Sequence, residues 1–312
     1  MNPGGRVPRL DWERDGRDWP NRDASRFVDA AGLRWHVQRC GPGRPDAPAL
    51  LLLHGTGAAT HSWRDLLPRL ARRFEVIAPD LPGHGFTAMP PPERLSLPGM
   101  ASSLAALLHA LGCAPALLVG HSAGAAVAAR MALERGCAPA GVVGLNGAWL
   151  PPAGSAGRWF SPAARLLATG GAALPAHLFA RAAARGPVLE RLLAATGSSL
   201  DSAGRSAYAT LVSNPGHVAG TISMMAHWDV AGLADALPAL SARLLLVVGE
   251  RDRTVPPIQS TALAGRVPGS RLVRLRGLGH LAHEEAPEAV VAAIEGFATE
   301  LGIGTRGPDQ IV

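Results

Sequence analysis

Eight short apolar runs punctuate the chain, and most are separated by stretches of helical periodicity. The first two, Arg26 to Ala30 and Leu33 to Arg39, turn at Ala31-Gly32 and read as a hairpin. A Gly- and Pro-rich loop from Gly41 to Pro48 follows. Leu50 to Leu53 and Glu75 to Ala78 then read as strands, with a helix between them near Trp63 to Arg72. The Pro-rich segment Met89 to Pro92 is a loop. A helix is predicted from Pro98 to Leu111, where the leading proline suits a first turn. Next come a strand at Ala116 to Val119, a helix after Ser122, and a strand at Gly141 to Leu145. The last two runs are Leu244 to Val248 and Arg271 to Leu275. Strands alternating with helices predict a mostly parallel sheet covered on both faces.

The alternation breaks between Trp149 and Asp229. There Ala, Leu and Arg recur at helical spacing, as in Phe160 to Ala168, Leu178 to Ala184 and Val188 to Ala195. The pattern predicts a helical cap over 149–229, inserted between core segments 26–148 and 230–302. A polar extension (1–25) precedes the core and a short tail (303–312) follows it. The cap carries Arg158, Arg165, Arg181, Arg185, Arg191 and Arg205 against Glu190, Asp201 and Asp229. One reading is a lid with an apolar underside and a cationic rim, whose arginines orient substrate carboxylates through paired hydrogen bonds. The other is a set of ordinary solvated helix faces.

Composition narrows the class. A chain of 312 residues can bury a large core as one domain with an insertion. The net charge of +6 comes entirely from Arg, for there is no Lys. The arginines are scattered, which argues against nucleic-acid binding, where a patch or stripe is usual. Attraction to anionic lipid or to an acidic substrate stays open. No stretch of about 20 residues is apolar enough to span a membrane. The first 25 residues lack the apolar core of a signal peptide. Cys40, Cys113 and Cys137 form neither a disulfide framework nor a zinc pattern, which fits a reducing cytoplasm. No His/Cys/carboxylate cluster suggests a metal, and no G-x-G-x-x-G follows a strand, so no cofactor is expected.

The candidate chemistry starts at Gly120-His121-Ser122-Ala123-Gly124. An apolar strand ends in G-x-S-x-G, and small residues from Ala123 to Ala129 follow, as a helix packed close to a sheet needs. A tight strand-to-helix turn of this kind lifts a serine hydroxyl clear of the sheet. Gly120 and Gly124 supply the space. The alternative is a serine in a Gly-rich turn. Asp252 falls in the loop after the Leu244 strand, within Gly249-Glu250-Arg251-Asp252-Arg253-Thr254-Val255-Pro256. His280 closes Gly277-Leu278-Gly279-His280, just before the last helix. A serine hydroxyl is a poor nucleophile at neutral pH, so an imidazole must take its proton and later return it. A carboxylate must fix the imidazole's tautomer and stabilise the imidazolium.

Other polar residues have blander readings. Asp80 and His84, in Asp80-Leu81-Pro82-Gly83-His84-Gly85, are expected to support the site, and His54 to brace its loop. Asn146 ends a strand, but an amide cannot stabilise an imidazolium as a carboxylate does. His121, Trp149, Met224 and Trp228 are candidate pocket residues, as are His217, His227 and Met225; core packing is the alternative for those late in the cap.

The set L-L-L-L-H-G-T-G, D-L-P-G-H-G-F-T, V-G-H-S-A-G, G-E-R-D-R-T-V-P and G-L-G-H resembles the α/β-hydrolase superfamily over roughly residues 26 to 302. The resemblance implies an eight-stranded, mostly parallel sheet with a helical cap, and the chain order Ser122, Asp252, His280 is the one that family uses. It also implies an oxyanion hole from the backbone N–H groups of Thr56 and Ala123, each donor contributing about 3 kcal/mol. A narrower resemblance rests on Asp18 to Gly43, on His54 to Leu66 and on Leu145 to Pro151. These stretches are similar to the magnesium-chelatase accessory protein of bacteriochlorophyll biosynthesis. That family implies a tetrapyrrole or small ester substrate, the magnesium chelatase subunits as partners, and a cytoplasmic place with peripheral contact at the inner face of the photosynthetic membrane. Magnesium would then belong to the chelatase. Three functions follow: a serine hydrolase of the tetrapyrrole pathway, a porphyrin- or chelatase-binding scaffold, and a general carboxylesterase or carbon–carbon bond hydrolase.

Overall fold

The computed structural model describes residues 7–134, 136–151, 173–184 and 187–304. Its eight strands are β1 (Ser25–Ala30), β2 (Leu33–Cys40), β3 (Ala49–Leu53), β4 (Glu75–Pro79), β5 (Leu117–His121), β6 (Gly141–Leu145), β7 (Arg243–Gly249) and β8 (Arg271–Leu275). They form one sheet in the order β1-β2-β4-β3-β5-β6-β7-β8. The β1–β2 and β2–β4 pairs are antiparallel. Every other pair is parallel. The α/β-hydrolase fold expected from the motifs is therefore the fold observed.

The strands show why continuous apolar runs fit the middle of such a sheet. Side chains alternate between faces, so a strand buried on both faces must be apolar at every position. Leu51 and Leu53 of β3, Leu118 of β5 and Leu244 and Leu246 of β7 enter one core layer. Leu50 and Leu52, Leu117 and Val119, and Leu245 and Val247 enter the other. Each buried side chain of this size contributes roughly 1.5–3 kcal/mol. The helices are α1 (Trp12–Asp15), α2 (Leu66–Leu70), α3 (Leu97–Ala110) and α4 (Ala123–Leu133), followed in the segment expected as a cap by α5 (Ala173–Ala183), α6 (Pro187–Thr196), α7 (Ser202–Val212) and α8 (Pro215–His227). After the cap come α9 (Leu233–Ala236), α10 (Pro257–Ala264), α11 (Ala282–Glu285) and α12 (Pro287–Glu300). The helix expected over 63–72 is shorter than its apolar pattern. A 3₁₀ turn fills Thr60–Trp63, and α2 starts two residues before Pro68, which a helix tolerates only in its first turn.

The N-terminal residues expected as a polar extension dock on the core. Trp12 and Trp19 pack around Phe86, with ring centroids 4.9 and 5.0 Å away. Arg9 places its guanidinium among four backbone carbonyls: Thr87 at 2.6 Å, Gly85 at 3.2 Å, Gly216 at 3.3 Å and Gly83 at 3.5 Å. Gly216 belongs to α8 and the other three to the loop after β4, so one side chain joins cap to core. In α5 the apolar underside expected of the cap is built from small residues. Ala176, Ala180 and Ala183 are buried, while Leu174 and Leu178 are 68% and 62% exposed. Ala176 and Ala180 cluster with Val218, Ala219 and Ile222 of α8, and the small alanines let α5 lie close against that helix.

Candidate active site

Strands β5, β6, β7 and β8 lie side by side and parallel, so their C-terminal ends collect at one edge of the sheet. Ser122 follows β5, Asn146 follows β6, Asp252 lies just beyond β7, and His280 lies beyond β8. Ser122 occupies the positive-φ region at φ 52°, ψ −118°. Such a conformation costs on the order of 1–3 kcal/mol and needs its surroundings to hold it. Here the Ser122 N–H donates to Leu145 O at 3.0 Å, and Ser122 O accepts from Ala125 N–H and Ala148 N–H at 3.1 and 3.0 Å. The two glycines of the motif are there for close approach. A Cβ on Gly120 would stand 2.3 Å from the Gly124 backbone, and one on Gly124 would stand 2.1 Å from Leu53 O.

The same contact brings the loop after β3 against the elbow: a Cβ at Gly55 would lie 3.0 Å from that of Ser122. Thr56, the next residue, and Ala123 are thus neighbours of the serine. Ala123 opens α4, so its N–H belongs to the turn that a helix leaves unpaired. Thr56 Oγ1 donates to Met224 Sδ at 3.6 Å, which places α8 over this loop.

Asp252 and His280 are joined. Asp252 Oδ2 accepts from His280 Nδ1 at 2.8 Å, and both side chains are buried. A carboxylate only accepts, so the proton sits on Nδ1 and Nε2 keeps a lone pair. Oδ1 of Asp252 accepts from the Thr254 and Val255 N–H groups at 2.7 and 2.8 Å. Oδ2 has a second donor, Asn146 Nδ2, at 2.7 Å. Asn146 also reaches Gly279 O at 3.4 Å. It does so from a left-handed backbone position, φ 48°. The sequence alone does not show its relation to Asp252, because an amide in that place reads only as a poor substitute for the acid. The available signal was topological: β6 lies between β5 and β7, so its end must face both the serine and the acid. Among the described residues Ser122 Oγ makes no hydrogen bond.

The cap steadies the histidine loop. Thr196 O, at the end of α6, accepts from the His280 N–H at 3.1 Å and from the Arg253 N–H at 3.3 Å. Ser198 Oγ accepts from the Leu281 N–H at 2.8 Å. Glu285 holds Gly279 N–H and Ser199 N–H at 2.8 and 3.0 Å.

The other polar residues are spent on the scaffold. Asp80 is fully buried; it accepts from Thr60 N–H at 2.7 Å, Phe86 N–H at 2.9 Å and His36 Nδ1 at 2.8 Å. Burial alone would raise its pKa, but His36, His54 and the donated hydrogen bonds outweigh burial and hold it well below the usual carboxylate range. His54 Nε2 accepts from Leu81 N–H at 2.8 Å and Nδ1 donates to Gly55 O at 2.8 Å. His84 Nδ1 donates to Pro82 O at 3.1 Å. His217 bridges cap and core: Nδ1 accepts from Gly85 N–H at 3.0 Å and Nε2 donates to Gly57 O at 3.1 Å. Burial pushes its pKa down to about 4. Glu284 sits buried under the site between Arg64 and the Tyr208 hydroxyl (2.8 Å), and burial pushes its carboxyl up to about 7.

Of the residues expected to line a pocket, His121 turns toward the His280 loop, with Nε2 2.9 Å from His280 O. Trp149 is wholly buried, with its ring against Gly144 and Gly147. Met224 is buried beside Thr56, and Trp228 is half-buried against the core. Arg181 is exposed on α5. Arg158, Arg165 and Arg185 lie outside the described residues.

Comparison with known proteins agrees with this architecture. The model of the α/β-hydrolase fold family matches residues 48–287, and the chain belongs to that family. Within the family it is 40% identical over 279 residues to the magnesium-chelatase 30 kDa subunit of Rhodobacter capsulatus, covering 89% of this chain and 95% of the relative. The narrower resemblance read from the sequence thus holds over nearly the whole chain. Among solved structures, an α/β-hydrolase fold protein from Burkholderia ambifaria aligns with a TM-score of 0.70 at 28% identity, covering 86% of this chain and 98% of that one. The enol-lactonase of Burkholderia xenovorans LB400 shares the fold, with a TM-score of 0.69 at 20% identity, covering 88% of this chain and all of that one. Among the described residues no helix is long and apolar enough to cross a membrane.

Proposed function

We propose that the chain is a serine hydrolase in which Ser122 is the nucleophile, His280 the general base and acid, and Asp252 the residue that orients and stabilises His280. The observation that carries this reading is the buried Asp252–His280 hydrogen bond, set at the same sheet edge as a serine held in the positive-φ elbow. His280 Nε2 takes the Ser122 hydroxyl proton as the oxygen attacks a carbonyl carbon. The resulting oxyanion is met by the N–H groups of Thr56 and Ala123. His280 then returns the proton to the leaving group, and a water molecule releases the acyl group by the reverse sequence. Fluorophosphonate labelling tests the assignment. Ser122 is expected to take the label, and Ser122→Ala to lose it with thermal stability nearly unchanged. Equal labelling of both proteins would refute the nucleophile.

The similarity to a magnesium-chelatase subunit supports a place beside magnesium insertion, with a tetrapyrrole as substrate or ligand and the chelatase as partner. A protoporphyrin is flat and apolar and carries two propionates, which an arginine of the cap, Arg181 or one of Arg158, Arg165 and Arg185, would hold. The test is a fluorescence titration with protoporphyrin and with its dimethyl ester. The free acid is expected to bind roughly tenfold or more tightly, the effect of one charge-assisted pair. Equal affinities would remove the arginines from the argument. A second reading, a chelatase-binding scaffold without hydrolysis, is favoured by the relative's being a subunit rather than a hydrolase by name. Absence of label on Ser122 together with tight porphyrin binding would favour it.

A further inference from the structure

We infer that His121 is a positioning residue, whose imidazole holds the backbone of His280 at a fixed place relative to the Ser122 elbow; the inference rests on the serine-hydrolase reading above. His121 is the last residue of β5 and the covalent neighbour of Ser122. Its backbone is fixed in the sheet opposite Leu145. Its Nε2 lies 2.9 Å from His280 O, so one short side chain connects the residue beside the nucleophile to the main chain of the base itself. A carbonyl only accepts, so the proton is on Nε2. Burial drives the His121 pKa well below that of a free imidazole, which keeps it neutral with that one N–H. The ring has little room to turn. It lies between the rings of His280 and His283, at centroid distances of 4.7 and 4.3 Å, and a Cβ at Gly55 would be 2.9 Å from its Nδ1.

The other holds on the histidine loop come from elsewhere. Asp252 grips the His280 ring, and Thr196 and Glu285 take N–H groups of the loop. Asn146 reaches the preceding carbonyl at the longer distance of 3.4 Å. Only His121, among these, ties the loop to the strand that carries the serine. Its removal would free the base to shift relative to Ser122 while leaving the Asp252 contact available. A misplacement of about 1 Å in reacting groups costs on the order of 10²-fold in rate.

The test uses the full chain with His121→Phe, which keeps a ring and removes the donor, and His121→Gln, which restores an N–H donor. His121→Leu removes the donor with a smaller side chain, in case the Phe ring is not accommodated. Two readouts are taken. The first is the rate of fluorophosphonate labelling at Ser122, separated into a saturation constant and a maximal rate. The second is the proton NMR signal of His280 Nδ1–H, which resonates far downfield while bonded to Asp252. In His121→Phe the maximal rate is expected to fall about 10²-fold with the saturation constant unchanged, and the downfield signal to broaden through exchange. His121→Gln is expected to recover most of both. Wild-type labelling and a sharp signal in the Phe and Leu variants would overturn the proposal. So would a Gln variant as impaired as Phe, since packing rather than the hydrogen bond would then be responsible. If wild-type Ser122 takes no label, the nucleophile reading fails, and the downfield proton by itself decides the role of His121.

Discussion

Asp80 and Asp252 are two buried carboxylates in similar loops with different surroundings. Both follow a strand and both touch a histidine at 2.8 Å. The Asp80 partner, His36, has its other nitrogen bonded to Ser25 Oγ at 3.0 Å, so that ring is closed at both ends. Among the described residues the ring of His280 is closed only at Nδ1. Asp80→Asn is therefore expected to cost about 3 kcal/mol or more in stability, the scale of breaking a buried pair, read as a lowered denaturant midpoint. The labelling rate of the protein that remains folded should be unchanged. Asp252→Asn should fold, yet label about 10⁴-fold more slowly, the scale seen when a triad carboxylate is neutralised. The opposite pattern would exchange the two roles. Ser122, Asp252 and His280 each stand in a motif of their own, so their candidacy is legible in the sequence. That of Asn146 is not, because its meaning depends on which strands neighbour β6, and strand order is not written in any local pattern.

At the scale of elements, the central strands were legible almost to the residue, since a doubly buried strand leaves an unbroken apolar run. Within residues 173–227 the helical spacing is legible, but the orientation of α5 is not. Burial of alanines with leucines turned outward in α5 reverses the usual amphipathic expectation, and only the close approach of α8 explains it. Residues 7–25 read as a polar extension because charged residues surround Trp12, Trp19 and the half-buried Arg9 that anchor them. Arg9 satisfies carbonyls of two elements at once. Arg9→Gln is expected to cost roughly 1–3 kcal/mol, the penalty of leaving buried acceptors unmet. Hydrogen exchange should locate the effect in α8 and in residues 83–87 rather than in the sheet. Uniform acceleration across all strands would mean that Arg9 acts on global stability instead.

For the whole molecule, the buried histidines dictate the response to acid. His54, His61, His84, His121, His217 and His283 are all driven below the ordinary imidazole pKa by burial, His217 to about 4 and His283 to about 3. Between those values and 6.5 the unfolded chain takes up protons that the native state refuses, so stability is full above about pH 6.5 and is lost as pH falls. Inside that window His217 and His283 each contribute about 1.4 kcal/mol per pH unit, and the others act in the same direction. Glu284 acts with the opposite sign: with a native pKa of about 7 it favours the folded state below 4.5 and ceases to as pH rises through 7. One carboxyl cannot offset six imidazoles, so the melting temperature is expected to drop steeply from pH 7 to pH 5. A flat profile would mean that these rings are protonated in the native state. The grip of Arg9 also has a consequence for the order of events during folding. Its acceptors lie 74 to 207 residues further along the chain. Three of the four, with the Phe86 ring beneath Trp12 and Trp19, form with the loop after β4, but the fourth exists only once α8 has been made and packed. Full docking of the segment around Arg9 therefore waits for α8. In a refolding time course followed by brief proteolysis, peptide bonds before residue 20 should reach full protection no earlier than those of α8.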